Sequence, residues 1–171
     1  WLIALTLWKI VNNSEFEQAK IDFGAEVIEN MVKIQHRIKT YEHIVHMGAA
    51  FIRSNREIDY RGWQDFFINS PIHKYFPGIA YIGWIELTSA TTSKVTFLDP
   101  MDTEGKRVVG QDMLQESMYK TAMFKARDSG QATISSKITT EQGIIDATQA
   151  DNILYIPVYQ QGAPTGTISE R

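Results

Sequence analysis

Three histidines, His36, His43 and His46, fall in one uninterrupted stretch, and His43 with His46 has the i,i+3 spacing by which a helix presents two imidazoles to one metal ion. All three avoid the apolar positions of that stretch, which makes them solvated side chains of a long helix. Asp99, Asp102 and Glu104 ahead of Gly105 have the composition of a calcium loop. The spacing misses the EF-hand pattern, and no distant glutamate stands where a bidentate ligand is needed. No nucleophile elbow, phosphate loop or zinc-protease helix occurs, and the four histidines accompany no Ser-centred motif. With no cysteine, thiol nucleophiles, disulfides and thiolate metal sites are excluded together. Chemistry therefore has no constellation to stand on: neither catalysis by this segment nor a metal or other cofactor is expected.

The remaining chemistry is recognition, and composition narrows it. At 171 residues, 43% hydrophobic and 22% charged, the chain can bury one core and carry an appendage. A net charge of -3 with no basic stripe interleaved with aromatics gives no reason to expect nucleic acid.

The appendage is at the start. Residues 1–14 open with WLIALTLWKIV, too short to cross a bilayer, which takes about 20 apolar residues, but patterned as the outer end of a crossing segment. Two tryptophans followed by Asn12, Asn13, Ser14 and Glu15 fit an interfacial exit; a buried strand or terminal helix is the other reading. Residues 15–56 contain no proline, and the spacing predicts one helix. Met31, Ile34, Ile38, Tyr41, Val45, Gly48 and Ile52 step 3,4,3,4,3,4, a heptad seam. A second stripe through Ile28, Val32, Ile44, Met47 and Phe51 predicts two neighbours, a second copy of the helix along one side and the chain's own body along the other. A single amphipathic helix lying on its own sheet fits the same pattern.

Residues 57–171 read as the body. Its spine is FPGIAYIGWIELT, Phe76 to Thr88, apolar in both alternation classes and so expected to be covered on both faces. Before it, Asp59 can cap a short helix holding Trp63, Phe66 and Phe67. After it, Lys94–Leu98 is expected to form an antiparallel hairpin with the spine, residues 99–105 a loop, and Asp112 the cap of a helix through Ser129 stopped by Gly130. Thr133–Ile138 and Asn152–Tyr159 read as two further strands around a looser stretch containing Gly143. Gln160 to Pro164 is a turn. The expected class is α+β: a long N-terminal stalk helix followed by a PAS-like antiparallel sheet with flanking helices.

Six segments in this order resemble the CHASE domain, the extracytoplasmic sensor of many transmembrane signalling proteins. They are Ile38-Lys39-Thr40-Tyr41-Glu42 with Met47-Gly48-Ala49-Ala50-Phe51; Trp63-Gln64-Asp65-Phe66; Phe76-Pro77-Gly78-Ile79-Ala80-Tyr81-Ile82-Gly83-Trp84; Val109-Gly110-Gln111-Asp112; Ala126-Arg127-Asp128-Ser129-Gly130; and Ile156-Pro157-Val158-Tyr159. The resemblance implies a membrane-anchored receptor whose sensor faces the periplasm or exterior. It implies a small-molecule cavity in the PAS-like body and an attached histidine kinase or cyclic-di-nucleotide enzyme inside the cell. Plant relatives bind adenine-derived hormones. By that resemblance Asp99, with Asp102 as the alternative, supplies an acid at the cavity, Phe124 lies where the family's helix offers a carbonyl, and Ser135, Tyr155 and Tyr159 lie on the later strands. Strand alternation would put Phe97 and Val95 on the same face as Asp99. These residues equally fit a filled core with Asp99 opening an Asp-Pro turn, in which case the domain is a dimerisation or partner-binding spacer.

Overall fold

The computed structural model describes residues 1–55, 58–70, 72–136, 152–160 and 162–168, with residues 2–7 and 9–14 described by their backbone alone. The chain divides into two units, Trp1–Tyr41 and Glu42–Arg171. The first is helical and belongs to α1, Leu2–Ser54, which continues without a break through the predicted exit at Asn12 to Ser14. No helix among the described residues is long and apolar enough to cross a membrane. Of the seam, Met31, Ile34 and Ile38 are exposed, while Tyr41, Val45 and Ile52 are half-buried. In the second stripe Ile28, Val32 and Met47 are exposed, Phe51 is half-buried and Ile44 is buried.

In the second unit the last turns of α1 meet α2, Tyr60–Ile68, which starts where Asp59 accepts from Gly62 N at 2.7 Å, as its N-cap role requires. Phe51 stacks on Phe66 with centroids 4.4 Å apart, and Gly48 admits the tips of Phe67 and Trp63. A four-residue helix α3, Ile72–Tyr75, precedes the spine and was not anticipated from the sequence.

The expected hairpin is present: β1, Ile82–Leu87, pairs antiparallel with β2, Ser93–Asp99. Its register slips once. Trp84 faces Phe97 but Ile85 faces Val95, so Thr96 is an extra residue in a β-bulge. Gly83 allows the close approach of the strands, because a Cβ there would lie 2.7 Å from Leu98 Cδ1 and from the Phe97 carbonyl. Burial of β1 fades along the strand: Ile82 is buried, Trp84 and Ile85 half-buried, Leu87 exposed. On the other edge of β2, Val95 N donates to Gln111 O at 3.0 Å and Val95 O accepts from Gly110 N at 2.8 Å, with Gly110 at φ 89°.

Residues 99–105, expected as a loop, already begin α4, Thr103–Val108, because Asp102 accepts from Gly105 N at 2.8 Å. Asp112 caps a single 3₁₀ turn, Met113–Gln115, rather than the helix itself, and α5 follows at Ser117–Ser129. Gly130 ends α5 in the left-handed region at φ 72°, as a glycine past a helix C-terminus does. The last two strands, β3 Thr133–Ile134 and β4 Leu154–Tyr155, pair with each other in a second two-stranded sheet, where the sequence reading placed all four in one. Regular pairing stops at Ser135, whose Oγ accepts from Ile153 N at 2.9 Å in place of a backbone oxygen. Residues 137 and 138 of the expected third strand, and the stretch around Gly143, lie outside the described residues. The turn after Tyr159 is closed by Ala163 N donating to Gln160 O at 3.0 Å.

Asp112 ties these parts together. Its Oδ1 accepts from Ser93 N and Ser93 Oγ, each at 2.8 Å, and from Leu114 N at 3.0 Å, while its Oδ2 accepts from Gln115 Nε2 at 2.9 Å. The Gln115 and Ser93 bonds hold its carboxyl at about 2, below the ordinary 3.8.

Two predictions test this framework. A carboxyl whose folded pKa is depressed contributes stability that is complete above 3.8 and is lost as the pH falls towards about 2. Urea midpoints of the wild type should therefore fall across that window, and Asp112→Ala should flatten the fall while lowering the plateau at neutral pH. At Gly48 an added Cβ meets Phe67 Cζ at 3.5 Å and Trp63 CH2 at 3.9 Å, ordinary contacts. Gly48→Ala should raise stability by about 0.5–1 kcal/mol, as removing a helix-interior glycine does. Gly48→Leu should lower the melting midpoint, since its branch has to displace those two rings.

Candidate functional site

The bulge at Thr96 decides which candidate residues share a space. Without it, alternation would put Val95, Phe97 and Asp99 on one face; the extra residue turns Val95 to the other. Val95 packs with Leu98, Tyr119, Ala122, Met123, Ala126 and Tyr155, with Phe124 against the edge of that cluster. Phe97 instead stacks on Trp63 of α2 at 5.7 Å. The seven candidates are therefore divided between the two faces of β2 and the far end of α5.

On the α2 face, Asp99 Oδ2 lies 2.8 Å from His73 Nε2, and His73 Nδ1 lies 3.0 Å from Ile79 O. Both ring nitrogens thus lie at hydrogen-bond distance from oxygens outside α3. The carboxylate, 15% exposed, is thus spanned to α3 and to the approach of β1. Beside it, the phenol of Tyr60 is pushed above its usual range by burial first and by the Asp99 charge second. Asp102, the alternative acid, is engaged elsewhere: besides capping α4 it accepts from Tyr81 Oη at 3.0 and 3.2 Å.

The α5 face carries an apolar cluster that two phenols enter. Tyr119, 1% exposed, and Tyr155, 9% exposed, both enter the cluster. Burial pushes the Tyr119 hydroxyl up, helped by the Glu116 carboxylate, and burial pushes Tyr155 up further, helped by Tyr119. Both belong to one cluster, yet neither hydroxyl bonds to the other. Ser135 is buried next to β4, donating to Ser136 O at 3.0 Å and accepting from Ile153 N. Tyr159 donates to the carbonyl of Arg127, whose guanidinium covers the Phe124 ring at 4.4 Å. The Phe124 carbonyl lies inside α5, within the regular pattern of helix hydrogen bonds.

Among the described residues, four buried donors have no partner: Tyr60 Oη, Trp63 Nε1, Tyr119 Oη and Tyr155 Oη. They stand in two pairs, Tyr60 and Trp63 on the α2 side of β2, Tyr119 and Tyr155 on the α5 side. Of these only Tyr155 was a candidate from the sequence. Tyr119 was the recoverable one: the stripe Leu114, Met118, Ala122, Ala126 runs one position beside the buried face Tyr119, Ala122, Met123, Ala126. No group of three or more metal-ligating side chains occurs among the described residues.

The fold and this arrangement define a class first: an α+β module in which a long helix runs into a small body that keeps polar groups unsatisfied inside. Residues 86–171 match the family model of the CHASE domain, and the chain belongs to that family. CHASE domains are extracytoplasmic sensory domains of membrane-bound signalling receptors. None of the curated proteins matches the sequence.

An unsatisfied buried hydroxyl costs about 1–3 kcal/mol, and removing it at constant shape recovers part of that. Tyr119→Phe and Tyr155→Phe should each raise the stability of the unliganded protein by about 1 kcal/mol, read as a urea midpoint. A decrease would mean that the hydroxyl has a partner, an internal water included.

Proposed function

We propose that the chain is the ligand-sensing part of a transmembrane signalling receptor, binding a small molecule in a PAS-like body and relaying occupancy through α1. The observation that carries this reading is the set of four buried, unpartnered donors flanking β2. Buried donors are normally satisfied, and leaving several open destabilises the free protein in a way that a bound acceptor reverses. The chemistry of the chain supports recognition and not catalysis by this segment.

The relay follows the packing of the second unit. A ligand on the α5 side moves Val95 and Leu98; β2 carries that displacement to Phe97; Phe97 bears on Trp63, and α2 holds the end of α1 through Phe66 against Phe51. A ligand moves such an equilibrium only by its differential affinity, and about 1–3 kcal/mol of coupling is typical. The exposed Met31, Ile34 and Ile38 favour a second copy as the partner of α1, in a homodimeric stalk anchored at the membrane through the segment that begins at Trp1. A cytoplasmic histidine kinase or cyclic-di-nucleotide enzyme is the matching output.

The first test is a thermal shift of the purified domain against purines, amino acids, carboxylates and neutral metabolites, on wild type, Asp99→Ala and Tyr155→Phe. A ligand at 100 times its dissociation constant adds about 2.7 kcal/mol. Loss of the shift in one variant assigns the ligand to that face of β2, and absence of any shift across the panel favours a dimerisation spacer. For the stalk, Ile34→Lys with Ile38→Lys should halve the mass seen by light scattering; an unchanged dimer mass would remove the seam from the interface.

A further inference from the structure

We propose that the His73–Asp99 contact is a proton-dependent clasp that gives the domain a response to the acidity of its surroundings, beside any small molecule it binds. The two oxygens that the ring meets dictate this. His73 Nδ1 lies 3.0 Å from Ile79 O, and His73 Nε2 lies 2.8 Å from Asp99 Oδ2. A carbonyl oxygen can only accept, so a bond to Ile79 O requires the proton on Nδ1. A neutral imidazole carries one N–H, and with Nδ1 holding it Nε2 presents a lone pair to the carboxylate. The second bond then needs one further proton, carried by Nε2 or by Oδ2. Both bonds exist together only while the pair holds that proton. When it leaves, the charge-assisted bond to Asp99 is the stronger of the two. The remaining proton then sits on Nε2, and the Ile79 contact, left with two opposed lone pairs, opens.

The ring, 34% exposed, can exchange protons with solvent, whereas the carboxylate, 15% exposed, has little water to turn to in place of the ring. The clasp joins three parts of the body: α3, the chain entering β1, and the end of β2. Phe97, two residues earlier on β2, stacks on Trp63 of α2. The strand thus meets the preceding helices through a ring contact and through the clasp, and of the two the clasp alone depends on a proton. The titratable groups around it are otherwise engaged. Burial first, and then the Asp99 charge, oppose ionisation of the Tyr60 phenol on α2. Lys74, next in α3, lies over the Tyr75 ring at 5.8 Å. Asp102, past the end of β2, accepts from Tyr81 Oη and from the start of α4. The sign follows from the bonds: acid keeps the clasp closed and alkali opens it, so its contribution to stability is present at low pH and is lost as the pH rises. CHASE domains lie outside the cytoplasm, where the pH is that of the surroundings.

Asp99→Asn separates a shared proton from a mere contact. An asparagine donates from Nδ2 to Nε2 of a neutral ring while Nδ1 still donates to Ile79 O, so this variant keeps both bonds without the extra proton. The readouts are the two His73 nitrogen shifts in long-range proton–nitrogen spectra and the carbon shift of the Ile79 carbonyl. They are followed from about pH 5 to about pH 9, a range that contains the ordinary imidazole titration. In the wild type the ring and the Ile79 carbonyl should change together in one transition. In Asp99→Asn the Ile79 carbonyl should stay at its acid value throughout, and the urea midpoint should lose less than that of the wild type as the pH rises. The midpoint of the variant at the acid end shows that it is folded. The inference is overturned if the Ile79 carbonyl does not move through the wild-type transition, or if it moves equally in Asp99→Asn. A clasp that is silent to pH, with a hit in the metabolite panel, removes the proton as an input and leaves small-molecule sensing standing. A clasp that opens while the panel stays silent makes the proton the input by itself.

Discussion

One extra residue, Thr96, governs how the body of this domain is arranged. A regular two-residue alternation along β2 would align Val95, Phe97 and Asp99 and leave only Leu98 as an apolar residue on the other face. The bulge places large side chains on both faces, so β2 becomes a wall between two clusters in place of the edge of one. The slip is compatible with tight pairing because Gly83 leaves room for Leu98 and for the carbonyl of Phe97. It is fixed from the far side because the backbone of Val95 bonds to Gly110 and Gln111, and Asp112 then fastens that segment to Ser93. A change at any of these points alters which cluster Val95 belongs to.

The two clusters differ in the kind of force that holds them. On the α2 side aromatic rings dominate, Phe51 on Phe66, Trp63 on Phe67 and Phe97, with the His73–Asp99 hydrogen bond at the margin. Stacked and tilted rings at these spacings are directional, each pair contributing about 0.5–1.5 kcal/mol beyond its area. In the proposed relay, a displacement of Phe97 would be passed to Trp63 with little slack. On the α5 side methionines, valine, leucines and alanines dominate, a surface that can repack around a guest. A compliant cluster and a stiff one on opposite faces of the same strand suit binding on one side and transmission on the other.

Much of this is legible in the amino-acid sequence. The long helix follows from forty residues without proline and from heptad spacing; Asp59 and Gly130 act as cap and stop because their side-chain chemistry is local. The hairpin follows from β-branched and aromatic runs. Three features were not legible, each for a reason. Thr96 looks like any strand residue, and only the partner strand reveals that it is unpaired. His73 meets Asp99 across 26 positions, a contact that no periodicity reports. Asp112 has the appearance of a helix cap, but its carboxylate binds Ser93, so a 3₁₀ turn intervenes before α5 begins. The helix also starts earlier than the composition change at Asn12 implied, since asparagine and serine are weak helix breakers when apolar residues continue on either side.

The separation made by β2 constrains what a ligand can touch. Asp99 and Tyr155 are the two candidate contacts of strongest chemistry, a carboxylate that wants a donor and a phenol that wants an acceptor. They lie on opposite faces of β2, and Asp99 is already satisfied by His73. A molecule reaching Asp99 would have to displace the His73 imidazole, whereas one reaching Tyr155 would displace nothing the described residues supply. Where two sites differ in that way, the one without a resident partner gains more on binding, because no protein hydrogen bond is broken to form the new one. On the sensing reading proposed above, the α5 face would be the better place for recognition, and the His73–Asp99 pair a part of the frame around the α2 cluster.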